Sequence, residues 1–231
     1  MKNIFKISIF LLAMVVITGC HKITTEGVTM ITYYPTITVL GDSPAVVTVG
    51  TTYVDAGCKV ELNGEDVSSI ANVSSNVNAN ALGIYSVTYS AINSDGFSAS
   101  ATRTVFVVNP NSFASVYYGE SNLTTNAARH YYGAPILITK RSDGNYDIDD
   151  IVGGFQFWGV NPGFEPTYDF HLEAVLKLED DNTITLVRMG TWYWGNNTTY
   201  VSGTFDPDTQ TVVMNLLYSG NLLIVTLTGV K

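Results

Sequence analysis

The sequence predicts an all-β protein of two domains, and three observations carry that prediction. Threonine, serine, asparagine, valine and tyrosine dominate the text, and long alanine, leucine, glutamate and lysine stretches are missing. Such a composition favours strands over helices. Several segments alternate apolar and polar residues with a period of two, which buries one face of a strand. No segment sustains the 3.6-residue period of an amphipathic helix. The 231 residues, 46% hydrophobic, suffice for one large or two small domains.

Residues 1–19 read as a secretory leader. Lys2 and Lys6 make a positive start, Ile7 to Ile17 an apolar run, and the small residues Thr18 and Gly19 precede Cys20. The apolar run is shorter than the ~20 residues that span a bilayer. Residues 20–30 are polar and without period, as expected of a tether.

Strands begin at about residue 31. "YYPTITVLGD" alternates and ends in a Gly-Asp turn. "GIYSVTYSAINSDGFSASATRTVFVV" is the clearest hairpin. Tyr85, Val87, Tyr89 and Ala91 fall on one face of its first strand, and Ala99, Ala101, Val105 and Val107 on one face of its second. The "SDG" turn joins them. "NPNS" breaks the pattern, so the first domain is expected at 31–108, a linker at 109–112 and a second domain at 113–231. Cys58 is expected to be a small buried hydrophobe, because no residue near it has ligand or disulfide spacing.

The second domain holds all three tryptophans. "FHLEAVLKLEDDNTITLVRMG" alternates on both sides of an "EDDN" turn. "GTFDPDTQTVVMNLLY" gives a hairpin about Asp206–Thr209, and "NLLIVTLTGV" a closing apolar strand. An antiparallel sandwich or a small barrel is expected. The best helical candidates are one or two turns near Ile148–Val152 or Thr125–His130.

Composition bears on function chiefly by exclusion. Net charge is −9, and −11 without the two leader lysines. An acidic chain without a basic patch is a poor binder of nucleic acid or anionic headgroups. "DGNYDIDD" places Asp143, Asn145, Asp147 and Asp149 at every second residue, like the start of a calcium loop, but Ile148 and Gly154 stand where an EF-hand needs Gly and Glu. The segment is expected to be a hairpin turn with outward acids, with calcium as the alternative. Glu165, Asp169 and Glu173 supply carboxylates, but any acidic domain offers such pairs for glycoside hydrolysis. His21, His130 and His171 lack a nucleophile elbow or zinc spacing. No enzyme activity and no cofactor are expected.

"GTWYWGNNTTY" and "GGFQFWGVNPGFEPTYDF" mix flat aromatics with amides in Gly- and Pro-rich text, as sugar sites require. Trp192, Trp194, Trp158, Asn196 and Tyr168 are the candidate glycan platform, with Trp192 and Trp194 on one face if their segment is a strand. The competing expectation is that the tryptophans fill the core of a small barrel.

Two resemblances sharpen this reading. "ITGC", residues 17–20, resembles the lipobox of bacterial lipoproteins, which implies lipidation of Cys20 and attachment to a membrane. "VTVGTTYVDAG" and "GIYSVTY" resemble bacterial Ig-like domains of the hyalin-repeat kind over about residues 31–108, which implies an Ig-like β-sandwich. The order of lipobox, tether, Ig-like domain and a domain with "GNYDIDDIVGG" is similar to Bacteroidota surface lipoproteins of unassigned function, several of which accompany starch-utilisation-like glycan-uptake machinery. The resemblance implies an outer-membrane anchor, at the cell surface rather than the periplasmic face, although "HKITTEG" has one acid, Glu26, where exported members have a cluster. It implies polysaccharide or oligosaccharide binding on an Ig-like spacer. The alternative is a structural or adhesive module that binds an envelope protein.

Overall fold

The computed structural model describes residues 31–125, 129–164, 168–192, 194–195 and 197–231. Cys20, the leader and the tether lie outside the described residues, as does Asn196. The fold is all-β, as expected.

The N-terminal part is a sandwich of two sheets. Strands β1 (Thr36–Val39), β3 (Cys58–Leu62) and β4 (Glu65–Asp66) form one sheet. The other has the order β2 (Ala45–Thr48), β7 (Ser98–Val108), β6 (Gly83–Ile92), β5 (Asn72–Ser75), with β2 parallel to β7. The expected hairpin is β6–β7, and its pairs Tyr89↔Ala101 and Val87↔Arg103 place both inward series on one face. Val87, Tyr89 and Val105 are the core, with Cys58 packed against them, partly buried.

Position 103 belongs to the inward series although it is an arginine. Arg103 is buried, and its Nη1 donates to Asp55 Oδ1 at 2.8 Å. Its Nη2 donates to the carbonyls of Leu40 and Gly57. Tyr53 and Tyr89 hydroxyls donate to the same carboxylate at 2.8 and 2.7 Å. The Tyr-x-Asp of "TTYVDAG" is therefore the partly exposed half of a polar network whose other half, Arg103 and Tyr89, is buried. A buried charge persists only when paired and hydrogen-bonded in this way.

The C-terminal part is a closed antiparallel barrel in which each strand pairs with the next in sequence. The strands are β8 (Val116–Leu123), β9 (His130–Lys140), β10 (Tyr146–Ile148), β11 (Ala174–Leu178), β12 (Thr183–Met189), β13 (Thr198–Asp206), β14 (Thr211–Tyr218) and β15 (Asn221–Gly229). β15 closes onto β8. Closure removes the unpaired edges an open sheet would leave. The alternation read in the sequence is the inside–outside alternation of the wall. Leu172, Ala174 and Leu176 are buried, as are Val212, Met214 and Leu216 and the trio Leu223, Val225 and Leu227. The closing strand, apolar on both faces from Leu222 to Val225, alternates in burial like the others.

Of the two helical candidates, Thr125–His130 falls half outside the described residues, and near Ile148–Val152 Ile148 ends β10 and the chain then turns; the helical turn described in this region is a π-helical turn, Phe155–Val160. Its wide i→i+5 hydrogen bonds are Gly159 N–H to Gly154 O at 3.0 Å and Asn161 N–H to Gln156 O at 2.7 Å. At the junction of the two parts Phe106 and Val108 pack with Val116, Val230 and Leu137. Gln210 Nε2 donates to the Asn109 and Ser112 carbonyls there.

Candidate functional site

The barrel lumen is full. Ile151, Val152 and Phe155 enter it as a plug and join the core of the wall strands. Gly119 makes room on β8, since a Cβ there would lie 2.8 Å from the Gly153 carbonyl oxygen. Eight-stranded barrels of this size hold side chains or one small ligand, and here side chains take the space. Any binding surface must therefore lie on the ends or the outer wall.

Antiparallel order sorts the connections between the two ends. The described residues of the β8–β9, β10–β11, β12–β13 and β14–β15 connections lie at one end. Residues 141–145, 179–182 and 207–210 lie at the other, where β8 enters from the sandwich. The two long aromatic segments thus share the end away from the junction.

Asp150 organises the longer one. It is fully buried, and its carboxylate accepts from the N–H groups of Val152 (3.3 Å), Gly154 (2.8 Å) and Leu172 (3.1 Å). One side chain thereby ties the start of the 149–173 connection to its finish. Burial pushes its pKa up to about 7, against the opposing pull of the Leu172 and Gly154 N–H groups and the charge of His171.

Between those ties the aromatics emerge. Phe170 is buried and acts as a hub. Its ring centroid lies 5.8 Å from Phe164, 6.0 Å from Tyr168 and 5.5 Å from Trp194. Those three rings are 51%, 41% and 41% exposed. Trp158 is 45% exposed, edge-on to Phe157, which packs on the His171 ring at 3.9 Å. Phe157, Trp158, Pro162 and Gly163 border a shallow apolar hollow.

The expected pairing of Trp192 and Trp194 on one exposed strand face is corrected. Residues 190–192 and 194–195 are in no strand, and β13 begins at Thr198. Trp192 is 3% exposed and belongs to the barrel core. Its Nε1–H donates to Thr198 Oγ1 at 2.9 Å, which satisfies the one polar atom of a buried indole. Trp194 stacks on it with centroids 5.0 Å apart and planes 9° apart. The two expectations for the tryptophans are therefore divided between neighbours: Trp192 is core, and Trp194 is the surface ring supported by it. Asn197, beside the undescribed Asn196, donates to Ser219 Oγ at 3.1 Å and ties this segment to the β14–β15 turn.

The acids of the calcium alternative have other partners. Arg141 binds Asp143 at 3.2 Å and Asp147 at 2.8 Å, and the Asp143 carboxylate accepts from Asn145 N–H. Asp149 accepts from Leu137 N–H at 3.0 Å. Asp143 and Asp147 are held by an arginine and Asp149 accepts from the backbone, and no group of three or more His, Cys, Asp or Glu among the described residues could hold a metal ion. His130 meets Glu120 at 2.7 Å and His171 meets Asp169 at 2.8 Å, both at the surface. Glu165 lies outside the described residues.

Sequence reasoning missed Asp150, Phe170 and Arg103. The alternation of β7 does mark position 103 as inward. Nothing in the text marks Asp150 among its acidic neighbours.

Residues 37–107 match the family model described as bacterial surface protein, Ig-like domain. Residues 107–229, more than half of the chain, match the model of a C-terminal domain family. Among solved structures, the crystal structure of the lipoprotein BT2262 from Bacteroides thetaiotaomicron is similar at 28% identity and TM-score 0.62, covering 85% of this chain and all of that one. A structure of CBM51-2 in complex with GlcNAc and INT domains from Clostridium perfringens ZmpB aligns at 14% identity and TM-score 0.27, over 85% of this chain and 44% of that one. So poor an overlap carries no argument about fold or ligand. No curated protein matches the chain. The chain belongs to the family that the C-terminal-domain model defines, with a bacterial surface-protein Ig-like domain ahead of its barrel.

Proposed function

We propose that this protein is a lipid-anchored envelope protein that binds glycan without cleaving it, at the barrel end away from the Ig-like domain. The observation that carries the reading is the cluster of half-exposed rings there: Trp158, Phe164, Tyr168 and Trp194. A sugar ring offers C–H faces to such surfaces and hydroxyl edges to nearby polar groups. The Ig-like sandwich acts as a spacer. The likeness to a Bacteroides lipoprotein and to a bacterial surface-protein domain supports an envelope location, with Cys20 as the anchor at the outer-membrane surface.

Affinity electrophoresis of the purified protein through a panel of plant, mucin and microbial polysaccharides tests the reading. Retardation by at least one polysaccharide is expected, lost in a folded Trp158→Ala/Trp194→Ala double variant. No reducing ends should appear on prolonged incubation. Migration unchanged across the panel rejects glycan binding and leaves a protein partner for the aromatic surface.

A further inference from the structure

We propose that a groove in the outer wall of the barrel is a second binding site, shaped for one neutral hydroxylated ring such as a single sugar residue. The proposal rests on the glycan reading for its ligand class only. The groove exists because the wall is thin at β10. That strand is three residues long between β9 of eleven and β11 of five. After Ile148 the chain turns into the lumen to become the plug, so β9 and β11 lose their intervening strand toward the aromatic end. Asp149 repairs the pairing in part, through its N–H to Leu137 O at 3.2 Å and its Oδ1 from Leu137 N–H at 3.0 Å.

The resulting cavity is about 200 Å³. Leu137, Ile148, Ala174 and Gly190 supply apolar and backbone surface, and Thr139, Asp147, Asp149, Glu173 and Arg188 supply polar groups. Arg141 already neutralises Asp147. That leaves two carboxylates facing one guanidinium. Arg188 forms no salt bridge among the described residues, so its guanidinium is available to a ligand. A simple cation would meet Arg188, and a simple anion would meet Asp149 and Glu173. A polyol suits both, because its hydroxyls donate to carboxylates and accept from guanidinium while its C–H groups rest on the apolar floor. The groove also lies at the root of both aromatic segments. Glu173 ends one and Gly190 begins the other, joined by Gly190 N–H to Glu173 O at 2.8 Å.

The test is a two-dimensional NMR titration of the ¹⁵N-labelled mature protein with glucose, galactose, mannose, fucose and N-acetylglucosamine in turn. At least one sugar should give saturable shifts at the amides of Thr139, Asp149, Glu173, Arg188 and Gly190. Arg188→Gln, an exposed substitution that spares the fold, should weaken that binding about tenfold, as expected for a lost charge-assisted hydrogen bond. Trp194→Ala should leave it intact. Shifts confined to the amides of Trp158, Phe164, Tyr168, Phe170 and Trp194 overturn the groove and uphold the aromatic surface. Shifts at the groove alone uphold the groove and count against the aromatic surface. No saturable groove shift with any of the five sugars, or unchanged affinity in Arg188→Gln, overturns the proposal.

Discussion

Replacing Trp192 and replacing Trp194 should have opposite consequences, although the residues are chemically identical and two positions apart. Trp192 is 3% exposed within the barrel core. Truncating a buried tryptophan to alanine costs about 3–5 kcal/mol through lost transfer energy and the cavity left behind. The Thr198 hydroxyl also loses the indole donor seen at 2.9 Å, worth about 1 kcal/mol. Trp194 is 41% exposed, so its truncation opens a surface rather than a cavity. Its loss should cost about 1 kcal/mol for the covered area and the stack. Urea unfolding of the two alanine variants against the parent measures this, with the m-value as the check that each still unfolds as a compact domain. Trp192→Ala should lower the midpoint several times more than Trp194→Ala, and only Trp194→Ala should weaken polysaccharide retention while leaving the fold whole. Near-ultraviolet circular dichroism adds a second readout, because stacked parallel indoles couple and either substitution removes the coupling. Equal losses of stability, or a larger loss for Trp194→Ala, would refute the assignment of one ring to the core and the other to the surface.

Three further predictions follow from the buried polar groups and the plug. Asp55→Asn should destabilise the protein by about 3–5 kcal/mol, the usual cost of leaving a buried charge, here Arg103, without its partner. Burial opposes ionisation of Asp55, but hydrogen bonds from Tyr89, Tyr53 and Gly57 N–H and the charge of Arg103 hold its pKa below the ordinary range. Its stabilisation is therefore complete above the unfolded value of about 3.9 and is lost as pH falls through the lower folded one. The acid limb of the stability curve should be shallower in Asp55→Asn, and an unchanged limb contradicts the network. At Asp150 the sign reverses. With a folded pKa of about 7, the native state keeps a proton that the unfolded chain releases, so this group's contribution declines as pH rises from about 4 to about 7, by up to ~1.4 kcal/mol per unit. Urea midpoints across that window should fall less steeply in Asp150→Asn than in the parent, and parallel curves count against the buried carboxyl. Gly154→Ala should cost about 2 kcal/mol or more, since φ is +82° and the new Cβ would lie 2.2 Å from Ala134 Cβ. Gly163→Ala, at φ +83° with nothing within 4 Å, should cost only about 1 kcal/mol, and calorimetric Tm values compare the two.

How much of this was legible depends on the range of the interactions. The β6–β7 hairpin is readable because alternation and a Ser-Asp-Gly turn are local properties, and the barrel strands are readable for the same reason. Closure of the sheet is not local. It depends on β15 reaching β8 across the whole domain, so the sequence left sandwich and barrel open. Aromatic clustering in two segments was visible, but their common end of the barrel follows from strand order alone. The misplacement of Trp192 has a definite cause. The shared exposed face is conditional on a strand, and residues 190–192 and 194–195 are in none, so Trp192 turns into the barrel core while Trp194 stacks on it at the surface. Arg103 shows the reverse case: the alternation of β7 puts position 103 on the inward face, and its charge is held there by Asp55 among the hydroxyls of Tyr53 and Tyr89.

The most direct test of the glycan surface uses the burial difference among the three tryptophans. Acrylamide quenching should reach Trp158 and Trp194 and spare Trp192. Addition of a retained polysaccharide should lower quenching of the parent protein. A Trp158→Phe/Trp194→Phe variant, fluorescent only through Trp192, should be weakly quenched with or without the polysaccharide. Quenching of the parent that does not change on saturation with a polysaccharide it retains would contradict the account, because the exposed indoles would then lie outside the binding surface.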